Sequence, residues 1–210
     1  MDVEAIEQQL RKRLAYPYRG GRSQNNQFDG KTNFIYNTSS FDEALSLAKS
    51  RFGNNPDFEK LLDYALNRWF NFWSAIAVEE IFCSLKGVEP ARNRKDRLED
   101  FKIHGITFDH KTSVFPKQYP HSLEFSMRNP RDLIKWLYDN QSQENRMHLK
   151  NRLFIVLYSN KGEHWKLKAD LSWLRTLIEK YVEDFNPRNL QRFSFEPGSI
   201  TVSDLIWAIR

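Results

Sequence analysis

Asp100, Asp109 and Lys111 are the residues of this chain whose types and spacing could do chemistry together. They lie in Asp100-Phe-Lys-Ile-His-Gly-Ile-Thr-Phe-Asp-His-Lys-Thr112, where polar and apolar residues alternate on both sides of His104-Gly105. That alternation marks a two-stranded hairpin, and glycine supplies the positive φ that a two-residue turn needs. With the turn at His104-Gly105, Ile103 opposes Ile106, Lys102 opposes Thr107, Phe101 opposes Phe108 and Asp100 opposes Asp109. Phe101, Ile103, Ile106 and Phe108 then share an apolar face, while Asp100, Lys102, Thr107, Asp109 and Lys111 share the other. Opposed residues have Cβ atoms roughly 4.5–5.5 Å apart, so the two carboxylates repel unless a cation sits between them. Mg²⁺ is held by one or two carboxylates together with waters and phosphate oxygens. Lys111 on the same face would bring an ammonium to a phosphate or to the attacking water. These are the parts that phosphodiester hydrolysis needs.

The elements that must position this face are legible in outline. Residues 58–86 predict a long helix, since Leu62, Leu66, Trp69, Trp73, Ile76 and Ala77 recur at three-to-four spacing, and Phe70, Phe72, Phe82 and Leu85 widen the apolar surface. Gly87 ends it, a short strand is expected near 88–91, and Arg92-Asn-Arg-Lys-Asp-Arg97 reads as a basic exposed loop. After the hairpin, Asn129-Pro130 opens a helix over about 131–140. Leu153 to Tyr158 is a continuous apolar run, expected as a strand buried on both faces. Residues 170–185 read as helix, 192–195 as a strand, and Ser203 onward as a last short helix. The first 55 residues differ. Glu4–Leu14 and Phe41–Phe52 read as helices, the second with Ser40 as N-cap and Gly53 closing it. Residues 19–40 read as a long polar loop. This implies residues 1–55 as an N-terminal elaboration and 56–210 as an α/β domain, a mixed β-sheet flanked by helices.

Asp100, eight intervening residues, then Asp109-His110-Lys111, preceded by a helix that carries glutamates, resembles the PD-(D/E)xK nuclease superfamily. The order of elements over residues 58–158, about half the chain, is similar to that superfamily's helix–strand–strand–strand–helix–strand core, which implies a restriction-endonuclease-like fold. The resemblance implies that Asp100 and Asp109 bind Mg²⁺ or Mn²⁺, that Lys111 is catalytic, and that a helix glutamate completes the site. Glu80 continues the stripe of Leu62, Leu66, Trp69, Trp73 and Ala77, while Glu79 lies below Phe72 and Ile76; both stay candidates, Glu80 slightly ahead. Glu99 stands where the family often has a proline. The implied activity is a metal-dependent nuclease acting on DNA before RNA, a site-specific endonuclease or a defence or mobile-element enzyme, with endo- and exonuclease action both open. A homodimer would suit double-strand cleavage.

Other acid-x-lysine triplets do not compete. Asp29-Gly-Lys31 follows a polar loop without a strand pattern, and Asp100-Phe-Lys102 has no suitable acid before it. The histidines (His104, His110, His121, His148 and His164) show no metal spacing, and His110 is expected on the opposite face from its neighbours. One cysteine, Cys83, excludes an intramolecular disulfide and a cysteine metal site, and is expected in the core. The net charge of +5 and pI of about 9.2 suit a polyanionic partner without requiring one. Arg92, Arg94, Lys95 and Arg97 are the candidate nucleic-acid contacts. No segment has the apolar length of a membrane span and the start lacks the order of a secretory signal, so a cytoplasmic protein is expected. Two rivals remain: a module on the same fold that binds nucleic acid or another partner without catalysis, and an unrelated α/β interaction protein whose hairpin acids are solvated. Because Asp109→Asn and Lys111→Ala leave the apolar face alone, neither is expected to move the melting temperature far.

Overall fold

A computed structural model describes residues 1–19, 26–91, 99–140 and 149–210. The chain forms two compact units, Met1–Val78 with Lys168–Ser172, and Glu79–Leu167 with Trp173–Arg210. Among the described residues, no helix is long and apolar enough to cross a membrane.

The first unit is helical. α1 (Val3–Arg13) starts on Asp2, whose carboxylate accepts a hydrogen bond from the Ala5 N–H. α2 (Asn26–Lys31) and a 3₁₀ turn (Asn33–Asn37) occupy part of the segment expected to be loop. Hydrogen bonds from distant residues hold it. The Tyr64 hydroxyl donates to Asp29 at 2.6 Å and the Trp73 indole donates to the Ile35 carbonyl at 2.9 Å. α3 (Phe41–Phe52) is capped by Ser40 as expected, but Gly53 keeps right-handed helical angles, with φ −52°, so no left-handed cap closes it. α4 (Phe58–Cys83) is the expected long helix, three residues shorter at its end. Leu66, Trp69, Phe70, Ala77 and Val78 are buried along its part in this unit, and Ile81 and Phe82 are buried in its last turns, which belong to the second unit. Cys83 is partly exposed instead of lying in the core.

The second unit holds a six-stranded mixed sheet in the order β1-β2-β3-β4-β6-β5. Its strands are β1 (Val88–Pro90), β2 (Phe101–Ile103), β3 (Ile106–Val114), β4 (Arg152–Tyr158), β5 (Gln191–Phe193) and β6 (Thr201–Ile209). β1, β2 and β3 form an antiparallel meander; β3, β4 and β6 run parallel; β5 closes antiparallel on β6. α5 (Leu123–Arg128) and α6 (Pro130–Asp139) lie between β3 and β4 in sequence, and α7 (Leu171–Glu183) follows β4. α6 packs Leu133, Ile134, Leu137 and Tyr138 on Phe154, Val156 and Leu205, which makes one core layer of the sheet. β4, flanked by parallel strands on both sides, is buried from Arg152 to Leu157, as its apolar run predicts.

The C-terminal segment corrects the expectation of a short helix. Thr201–Ile209 is a strand paired with β4 from Ser203 to Ile209. Its apolar residues at 202, 205, 206, 207, 208 and 209 include a helical spacing (202, 205, 206, 209) as well as the unbroken run of a buried strand, and pairing with β4 decides between them.

Candidate functional site

The β2–β3 hairpin forms as its alternation predicts. His104 and Gly105 both take positive φ, 48° and 81°, the geometry of a type I′ turn. Ile103 pairs with Ile106, Lys102 with Thr107 and Phe101 with Phe108. Phe101 and Phe108 are fully buried, and Phe101 stacks on Phe82 of α4 with ring centroids 4.3 Å apart.

The expected register does not continue to the two acids. The Asp100 N–H donates to the Phe108 carbonyl at 2.9 Å, and the Asp109 N–H donates across to the Asn151 carbonyl at 3.0 Å. The Asp100 carboxylate replaces the missing ladder bond. Its Oδ2 accepts the His110 backbone N–H at 2.7 Å and lies 2.7 Å from the His110 Nδ1. That ring is buried beside Phe82 and Phe101, on the apolar face, as its place in the alternation predicts. Burial alone would raise the Asp100 carboxyl, but the ring and backbone hydrogen bonds of His110, with the charges of His110 and Lys111, hold it below the ordinary aspartate value.

Asp109 faces the other way along the pleat, toward the α6 layer. It pairs in register with Arg152 at the start of β4, and Lys111 pairs with Phe154. Its Oδ2 accepts from the Arg152 Nε at 2.7 Å and Nη2 at 2.6 Å, and its Oδ1 accepts from the Lys111 Nζ at 3.0 Å. The Asp109 and Arg152 side chains are only 6% and 3% exposed, whereas that of Lys111 is 43% exposed. The Arg152 guanidinium also lies over the rings of Tyr138 and Phe154, at 5.6 and 5.9 Å.

The structure thus brings Asp109 and Lys111 together and sets Asp100 on His110. Glu79 and Glu80 are half-buried in the last turns of α4. Arg92, Arg94, Lys95, Arg97 and His148 lie outside the described residues. As arranged, this donor set does not fit a divalent ion. Both oxygens of Asp109 are taken by cations, Asp100 is turned onto a histidine, and no three His, Cys, Asp or Glu among the described residues converge on one point. Sequence reasoning missed Arg152 and the partnership of His110 with Asp100. The one available signal for Arg152 was a lone charge opening an apolar strand. A second polar pair lies elsewhere in the sheet layer, where the Tyr181 hydroxyl donates to Asp204 at 3.1 Å and burial raises the carboxyl of Asp204.

No family model, curated protein or solved structure matches this chain.

Proposed function

We propose that this chain hydrolyses phosphodiesters, in DNA before RNA, on a scaffold of the restriction-endonuclease type. The observation that carries the reading is the Asp109–Lys111 pair, 3.0 Å apart on β3. It sits in a chain whose elements run α4, β1, β2, β3, α5, α6, β4 with β3 and β4 parallel. With α5 as an addition, that order supports the core the sequence resemblance implies. Lys111 is the half-exposed member of the pair, so it is the group that meets a phosphate and stabilises the charge developing there. Asp109 is the acid this face presents beside Lys111, Asp100 being turned onto His110, and the excess of positive charge favours a polyanion as substrate.

A second reading, a nucleic-acid-binding or interaction module without catalysis, is favoured by the two-pronged hold of Arg152 on Asp109. One experiment separates the two. Purified chain is incubated with supercoiled plasmid, single-stranded DNA and RNA in Mg²⁺, in Mn²⁺ and in EDTA, with binding measured across a salt series. Cleavage that Lys111→Ala removes supports hydrolysis, and the EDTA arm shows whether it needs a metal. Salt-dependent binding without cleavage supports the module, and the absence of both refutes both.

A further inference from the structure

The carboxylate of Asp109 is already neutralised from inside the protein. Arg152 stands directly across from it on the neighbouring parallel strand, so both side chains leave the sheet on the same side. Two guanidinium nitrogens converge on Oδ2 at 2.7 and 2.6 Å while the Lys111 ammonium holds Oδ1 at 3.0 Å. We infer that the Arg152 guanidinium is the built-in cation of Asp109, seated where a divalent ion would have to bind. This inference rests on reading the Asp109–Lys111 face as the functional face.

Three physical points carry it. A Mg²⁺ ion binds about 2.0–2.1 Å from a carboxylate oxygen. At that range it would stand beside the guanidinium and the ammonium at once, and like charges at such distances repel strongly in a buried setting. One cation must therefore leave, and Arg152 is poorly placed to do so. Its side chain is 3% exposed, and the guanidinium is covered by Tyr138 and Phe154. Lys111 can swing out, being 43% exposed, but its departure frees only Oδ1. With two cations on one carboxylate, the face carries positive charge in excess. It therefore suits an anionic group such as a phosphate better than a metal ion.

The test is a Mn²⁺ titration of the intact chain, read by paramagnetic broadening of backbone amide resonances. In the wild type, the amides of Asp109, Lys111 and Arg152 should keep their linewidths; selective broadening there overturns the inference, with no variant required. Arg152→Gln should create the site, with Mn²⁺ affinity rising by about tenfold or more as the competing charge is removed, and with broadening confined to the same amides. Arg152→Lys keeps a charge and should show no such gain. A folded Arg152→Gln that gains no Mn²⁺ site also overturns the inference. The hydrolytic reading fails separately. Cleavage by a wild type that binds Mn²⁺ at Asp109 sinks the inference alone, whereas a silent wild type with a metal-binding Arg152→Gln sinks hydrolysis alone.

Discussion

Asp109→Asn tests the buried pair most directly, because the change is nearly isosteric and removes only charge. On a solvated hairpin face it would cost nothing. In this structure it strands the Arg152 guanidinium, whose side chain is 3% exposed, opposite a neutral amide. Breaking a buried ion pair from one side costs about 3–5 kcal/mol, because the remaining charge stays desolvated. The Asn carbonyl can still accept one guanidinium hydrogen bond, returning about 1 kcal/mol. The net loss of about 2–4 kcal/mol corresponds to a melting point lower by roughly 5–15 °C in a chain of this size. Arg152→Met should cost less, since Lys111 remains 3.0 Å from the Asp109 carboxylate to neutralise it. The double variant Asp109→Leu with Arg152→Met should recover most of the loss, because apolar groups of similar volume replace such pairs at little cost. Thermal melts by circular dichroism give the magnitudes, and native-state hydrogen exchange shows whether the loss falls on β3 and β4. If Asp109→Asn melts together with the wild type, or the double variant is as unstable as its two parents combined, the buried-pair argument is wrong.

Lys111→Ala removes a half-exposed cation, so cleavage should fall about a hundredfold or more, near 3 kcal/mol of transition-state stabilisation, with the melting point unchanged; an equal loss of fold and rate would make the lysine merely structural. Alanine at Arg92, Arg94, Lys95 and Arg97 together should flatten the dependence of log affinity on log salt by up to about 0.9 per lost phosphate contact, and an unchanged slope leaves these four residues no part in binding. Asp204 carries a carboxyl raised by burial, against opposing hydrogen bonds from the Leu205 N–H and Tyr181. Its contribution to stability is therefore full below the ordinary value near pH 4 and is lost as pH rises through the folded value. Asp204→Asn should then raise the melting point at pH 7.5 and do so less at pH 3.5; an equal shift at both removes burial as the cause.

The hairpin was legible from residues 100–112 because everything that shapes it is local. His104-Gly105 supplies two residues that accept positive φ, and strict alternation sets which side chains share a face as far as Phe101 and Phe108. The α4 stripe and the apolar run of β4 were legible for the same reason, since a helical period or an unbroken apolar string states its own burial. Composition and patterning thus determined a mixed α/β chain with an acid-and-lysine strand near its centre.

What became of that strand was decided by contacts far away in the chain. Alternation would have carried Asp100 across from Asp109, but the Asp100 carboxylate instead captures the N–H and ring of His110, and the two acids part. Arg152 lies 43 residues beyond Asp109, and it meets that carboxylate only because the chain crosses over through α6 and returns parallel to β3 in one particular register. The final segment, ambiguous between helix and strand by its own pattern, became β6 once β4 offered it a full set of backbone partners. Local periodicity can say that a carboxylate leaves a given face of a strand. Whether it then meets a cation, a histidine or water depends on strand register across a crossover, and no short window of residues encodes that.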